Sequence, residues 1–185
     1  MNIANKITLL RIAMIPFFMG LMLIEFPFHM ELALAVFLIA SFTDHLDGYL
    51  ARKYNLITDF GKFMDPLADK LMVTAAFVIF IQMGKIEAWI VFVILAREFA
   101  VSGLRSLAAA QNTIIAASSF GKLKTVTQIV TISVLMLDNF PFSLINLPMD
   151  VISIYLTLIV TVWSGLDYFS KNLKVIMPKK LEQKA

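Results

Sequence analysis

Read as a run of apolar and polar positions, the chain alternates long apolar stretches with short polar ones. Six apolar stretches stand out, over residues 12–24, 32–50, 66–83, 88–110, 126–137 (extended toward its N-terminal side) and 149–169. A helix crossing the hydrocarbon core of a bilayer needs about 20 residues, and most of the stretches approach that length. The pattern predicts an all-helical membrane protein, a bundle of six transmembrane helices. The first stretch is short and is expected to tilt little or to begin as an interfacial segment. No internal repeat, low-complexity tract or linker interrupts the series. One domain over 1–185 is therefore expected, with 1–11 a juxtamembrane segment and 171–185 a basic tail.

Composition supports a bilayer as solvent. Hydrophobic residues make up 59% of the chain and charged ones 16%, with a mean hydropathy of +0.82; a soluble domain needs more polar surface. The chain has no cysteine, which excludes a disulfide framework and thiolate metal sites. The net charge is +3, but the cations are scattered among apolar spans, and no basic face for nucleic acid forms. Basic residues follow and precede alternate stretches: Lys6 and Arg11; Arg52, Lys53 and Lys62; Arg105, Lys122 and Lys124; then Lys171, Lys174, Lys179, Lys180 and Lys184. The other connections hold only Lys85. The positive-inside rule then places both termini and the connections 51–65 and 111–122 in the cytoplasm of a multi-pass cell-membrane protein. No small-residue cleavage site follows residue 24, so the first stretch reads as a retained span, not a signal peptide. His29 and Glu31 are expected to be solvated in an outer loop.

Charged residues in or beside apolar spans are costly, so each is a functional candidate. The segments 44–52 and 61–69 concentrate them. On a helix, Asp44 and Asp47 share a face, as do Asp65 and Asp69. Two antiparallel helices joined by a short loop would bring the four carboxylates together near the inner membrane surface. Four such groups cannot all stay ionised at close range without a cation, and an all-oxygen set favours magnesium, calcium or manganese over zinc. Such a metal would in turn hold a diphosphate. Gly48, Ala51 and Gly61 are small enough for a bulky ligand to approach the backbone, and Arg52 offers a fixed fork for a phosphate or a base. Asp59 reads as an ordinary loop charge, and His45, about 100° round the helix from Asp44, as a packing residue.

The string Asp44-x2-Asp47-Gly48-x2-Ala51-Arg52-x8-Gly61-x3-Asp65-x3-Asp69 resembles the signature of CDP-alcohol phosphatidyltransferases, and the six-span layout is similar as well. The resemblance implies that Asp44, Asp47 and Asp65 hold Mg2+ or Mn2+, with Asp69 sharing the metal or acting as the catalytic base. It implies that Gly48, Ala51, Arg52 and Gly61 line the CDP pocket. The implied reaction is attack of an alcohol hydroxyl on the lipid-side phosphorus of CDP-diacylglycerol, with CMP leaving. A carboxylate tied directly to a metal is a weak base, which favours Asp69 as the less tightly coordinated one. The family also implies a homodimer, contact with membrane lipids and, for this chain, a bacterial plasma membrane.

Three further strings are similar to the branch whose acceptor is sn-glycerol 3-phosphate: Asn5-x2-Thr8-x2-Arg11, the segment from Arg97 to Arg105, and the segment from Gly121 to Thr125. A phosphorylated acceptor needs cations, and Arg97, Arg105 and Lys124 are candidates for its phosphate. Arg97 and Arg105 are about 12 Å apart along one helix. Spacing therefore pairs Arg105 with Lys124, and leaves Arg97 for a carboxylate, preferably on another span. The same cations can also be ordinary topology charges at the cytoplasmic ends of spans. Acceptors such as serine, an inositol phosphate or phosphatidylglycerol are the alternatives, and the cations weigh against serine. A small cation transporter would use buried carboxylates too, but would show inverted repeats and broken helices at mid-bilayer.

Overall fold

The computed structural model describes residues 3–53, 59–111, 113, 115 and 119–176, with the backbone alone described over 3–8, 44–53, 59–67, 69, 119 and 173–176. Six α-helices follow in order: α1 Ile3–Leu23, α2 His29–Lys53, α3 Asp59–Gln82, α4 Ala88–Ala110, α5 Ser119–Met136 and α6 Met149–Ile176. A single 3-10 turn, Phe142–Ile145, lies between α5 and α6, and no strand occurs among the described residues. The all-helical expectation holds.

The helices overrun the apolar stretches that announce them. The 51–65 connection loses residues 51–53 to α2 and 59–65 to α3, because α2 continues to Lys53 and α3 begins at Asp59. The 111–122 connection likewise loses its last residues to α5. Hydropathy marks where a chain can meet hydrocarbon, whereas helical hydrogen bonding continues into charged sequence. The first stretch is not short as a helix, since α1 has 21 residues. By length and apolarity only Met149–Asn172 qualifies as a membrane span among the described residues, with a mean hydropathy of 1.7. Shorter apolar runs occupy Leu9–Leu23, His29–Thr43 and Lys70–Gln82. α4 is excluded by its own charges, Arg97, Glu98 and Arg105.

α1 packs extensively on both α2 and α3, and far more so than those two pack on each other. α6 packs along α5 and against α4. The main core joins Phe18 and Met22 of α1, Phe37 of α2, Phe77 and Phe80 of α3 and Ile94 of α4. Large apolar side chains also cover the outside, among them Phe17, Phe42, Phe92, Ile159 and Trp163.

The outer turns are fixed by backbone bonds. Gly84 takes φ +70 at the end of α3. There Lys85 N–H bonds Phe80 O at 2.9 Å and Gly84 N–H bonds Ile81 O at 3.0 Å, closing the helix with the left-handed residue that glycine supplies without strain. Lys85 then donates to Leu135 O at 2.9 Å and to Asp138 at 2.6 Å. A cation at the C-terminus of α5 complements its dipole. His29, expected to be solvated, starts α2 instead and bonds Leu21 O through Nδ1 at 3.0 Å, because the end of α1 leaves carbonyls without helical partners.

Candidate active site

The buried face of α2 is drawn by Met30, Ala33, Phe37 and Ala40, a 3-4-3 spacing that keeps one helical face turned inward. Positions 44 and 47 continue the same spacing by four and three. On α3 the buried face runs through Ala68, Met72, Ala75 and Ile79, and positions 65 and 69 stand three residues before Ala68 and Met72. On α1 it runs back from Met22 through Phe18 to Arg11, which is itself only 5% exposed. Short connections make these three ends neighbours: the start of α1, the end of α2 and the start of α3. At that one end, three core-facing stripes change from apolar to charged sequence. Asp44, Asp47, Asp65 and Asp69 therefore lie in regular helix in the expected pairs, while their side chains lie outside the described residues. The same holds for Gly48, Ala51, Arg52, Gly61 and His45. The basic tail beyond residue 176 lies outside the described residues entirely.

Arg11 is the residue that site reasoning from the sequence passes over. It belongs to the string Asn5-x2-Thr8-x2-Arg11, but a basic residue before a first span is also what topology alone predicts. Its burial distinguishes it.

A second charged group sits among α4, α5 and α6. Lys124 of α5 donates to Glu98 Oε1 of α4 at 2.6 Å, and Arg97 Nη1 reaches the same oxygen at 3.3 Å. The three side chains are 9%, 12% and 11% exposed, in the order Lys124, Glu98, Arg97. Arg97 Nη2 also donates to Ser164 Oγ of α6 at 2.5 Å. Lys70, beside Asp69 in sequence, donates to the backbone oxygen of Glu98 at 3.4 Å. That bond ties α3, one residue beyond Asp69, to the α4 backbone of this group. Among the described residues Glu98 is the one carboxylate shared by Arg97 and Lys124, so the trio carries a net charge of +1. Excess buried charge is costly unless an anion joins it.

The structure thus brings Arg97 and Lys124 together through Glu98, where spacing pairs Lys124 with Arg105. Arg105 is exposed, and among the described ion pairs Glu98 takes Arg97 and Lys124. Nearby, Tyr168 packs with Val101 and Leu104, and its phenol lies within electrostatic range of Arg105 and Arg97. The carboxylate partner of Arg97 is its own neighbour, Glu98, and its contact with another helix is a hydroxyl. Adjacent helical residues diverge at Cβ, but the long arginine stem brings its head back.

From this group a polar seam runs between α5 and α6. Lys124, Gln128 and Thr131 of α5 and Ser153, Thr157, Thr161 and Ser164 of α6 are all buried. Thr131 Oγ1 donates to Ser153 O at 2.9 Å and lies 2.8 Å from Thr157 Oγ1. Such bonds fix the rotation of two otherwise apolar helices. Gly165 is a further residue that the sequence does not flag. A Cβ there would stand 3.0 Å from Arg97 Cγ, so the bare backbone is what the arginine stem lies against.

The family model for CDP-alcohol phosphatidyltransferases matches residues 1–163. A Bacillus subtilis (strain 168) protein named CDP-diacylglycerol–glycerol-3-phosphate 3-phosphatidyltransferase is 47% identical over 188 residues, covering 95% of this chain and 97% of that one. A Rickettsia bellii (strain RML369-C) protein of the same name is 37% identical over 169 residues, covering 91% and 93%. An Arabidopsis thaliana protein named CDP-diacylglycerol–glycerol-3-phosphate 3-phosphatidyltransferase 2 is 32% identical over 193 residues, covering 96% and 82%.

Proposed function

The chain belongs to the CDP-alcohol phosphatidyltransferase family, and on that premise we propose that it transfers the phosphatidyl group of CDP-diacylglycerol to sn-glycerol 3-phosphate, releasing CMP. The reaction and acceptor are those in the names of the relatives. One observation in this chain carries the reading. Core-facing stripes turn to aspartate at one end of the bundle, and Lys70, next to Asp69, bonds the backbone of a buried group of net positive charge. That arrangement suits a diphosphate donor and a phosphorylated acceptor meeting at one site.

Asp44, Asp47 and Asp65, with Asp69 sharing, would hold Mg2+ or Mn2+. The fit rests on an all-oxygen donor set at helical spacing in register with the buried faces. Bound there, such an ion would neutralise the diphosphate and the departing CMP. Gly48, Ala51, Arg52 and Gly61 belong to the CDP pocket in this reading. Arg97 and Lys124 take the acceptor's phosphate, and Arg105 guides it from the exposed side. Asp69 accepts the proton of the acceptor hydroxyl as its oxygen bonds the lipid-side phosphorus and the bond to CMP breaks.

The six helices, of 18 to 28 residues, reach about 27–42 Å and cross the membrane in this reading. Their exposed apolar faces meet lipid tails, and the lysine and arginine distribution puts both termini and the site in the cytoplasm. A single domain and a homodimer in a bacterial plasma membrane complete the proposal.

The test is CMP release by the purified protein in detergent, with CDP-diacylglycerol, Mg2+ or Mn2+, and one acceptor at a time. Release that depends on glycerol 3-phosphate is expected. Release with serine, an inositol phosphate or phosphatidylglycerol instead would overturn the acceptor, and none with any acceptor would overturn the catalysis. Asp69→Asn is expected to keep CDP-lipid binding and lower turnover by about 10²–10⁴-fold; lost binding would make Asp69 a metal ligand first.

A further inference from the structure

The geometry points to the Ser164–Gly165 step of α6 as a positioning element for acceptor recognition, a seat that fixes how Arg97 presents its guanidinium. The inference rests on the reading of Arg97 as a ligand of the acceptor's phosphate. Arginine is useful there only if its planar fork is held, because a bidentate bond needs both N–H groups aimed at once. A long side chain on α4 has too many rotamers to supply that aim by itself.

Three contacts remove the freedom. Gly165 is buried, and a Cβ there would meet Arg97 Cγ at 3.0 Å and Nε at 4.0 Å, so the stem lies flat on the α6 backbone. Ser164, fully buried, takes one N–H from Nη2 at 2.5 Å. Glu98 takes one from Nη1 at 3.3 Å. Each terminal nitrogen bears two hydrogens, so both keep an N–H for an incoming oxyanion. Nothing about Gly165 requires glycine for backbone reasons, since it lies inside a regular helix where glycine costs about 1 kcal/mol relative to alanine. The close approach of Arg97 supplies the reason.

A methyl group at 165 must push the stem by a few tenths of an ångström, and the head moves further than the stem. Gly165→Ala is expected to raise the KM for glycerol 3-phosphate about 5-fold, with the KM for CDP-diacylglycerol and kcat within about twofold of the parent. Ser164→Ala, which removes one oxygen and adds no bulk, is expected to shift the same constant by about 3-fold. In an Arg97→Ala background the added methyl should have no further effect on the acceptor KM, because the stem it displaces, Cγ included, has gone.

A purely structural glycine would lower thermal stability and affect both substrates alike. Equal changes in both KM values, or a Gly165→Ala effect that persists undiminished beside Arg97→Ala, would overturn the seat. If Arg97→Ala alone leaves the acceptor KM unchanged, the phosphate reading of Arg97 fails first, and the two failures are thereby told apart.

Discussion

Alanine at Asp44, Asp47 or Asp65 is expected to lower CMP release by about 10³-fold or more while leaving the helical fold intact. The expectation follows from where the three positions stand. Each continues, at helical spacing, a stripe whose other members are buried against the core, such as Ala40 on α2 and Ala68 on α3. Carboxylates brought to one end of a bundle repel one another unless a cation lies between them, so the folded protein without a divalent ion holds unfavourable charge. Two consequences separate a metal site from a merely structural one. The parent protein should gain thermal stability on addition of Mg2+ or Mn2+, as any ligand that binds the folded state confers. The alanine variants should lose that gain, and without the ion should melt at or above the parent's temperature. Manganese binding followed by electron paramagnetic resonance gives the same answer without activity. Turnover within about tenfold of the parent in any one variant, or an unaltered metal-dependent stabilisation, would remove that aspartate from the site.

The sequence made the aspartates legible because their spacing is local. Helical positions three and four apart share a face whatever packs against them, and α2 and α3 are helical through those positions. Glu98 and Lys124 belong to different helices, and only packing reveals that they meet. The rule that neighbours on a helix diverge argues against Arg97 with Glu98, yet the arginine stem closes the gap. Gly165 is less legible still, since its meaning lies in a side chain 68 positions away. Arg11 was hidden by an ambiguity: topology and site both call for a cation before the first span, and burial alone separates them. Helix ends went astray for another reason. Apolarity reports the solvent, and the charged ends of α2, α3 and α5 remain helical after their sequence ceases to suit hydrocarbon.

Glu98→Gln should give the second large effect, in stability and in the response to anions. Glu98 Oε1 receives Lys124 at 2.6 Å and Arg97 at 3.3 Å in a setting where all three side chains are about nine-tenths buried. Glutamine keeps the shape and removes the charge, turning a trio of net +1 into one of net +2. Stripping one partner from a buried ion pair leaves uncompensated charge and costs about 3–5 kcal/mol, far above the median for an exposed pair. In phosphate-free buffer the variant should therefore melt well below the parent. An anion that enters the group then replaces the missing carboxylate. Glycerol 3-phosphate, or inorganic phosphate at higher concentration, should restore much of the lost stability to Glu98→Gln and add less to the parent, because a ligand stabilises most where its absence leaves the larger unbalanced charge. Chloride at equal ionic strength serves as the control for screening. A variant as stable as the parent would show that Glu98 is not the counter-ion of the two cations. A destabilised variant that phosphate fails to rescue would show that the cations are held for packing, and would take Arg97 and Lys124 out of the acceptor site.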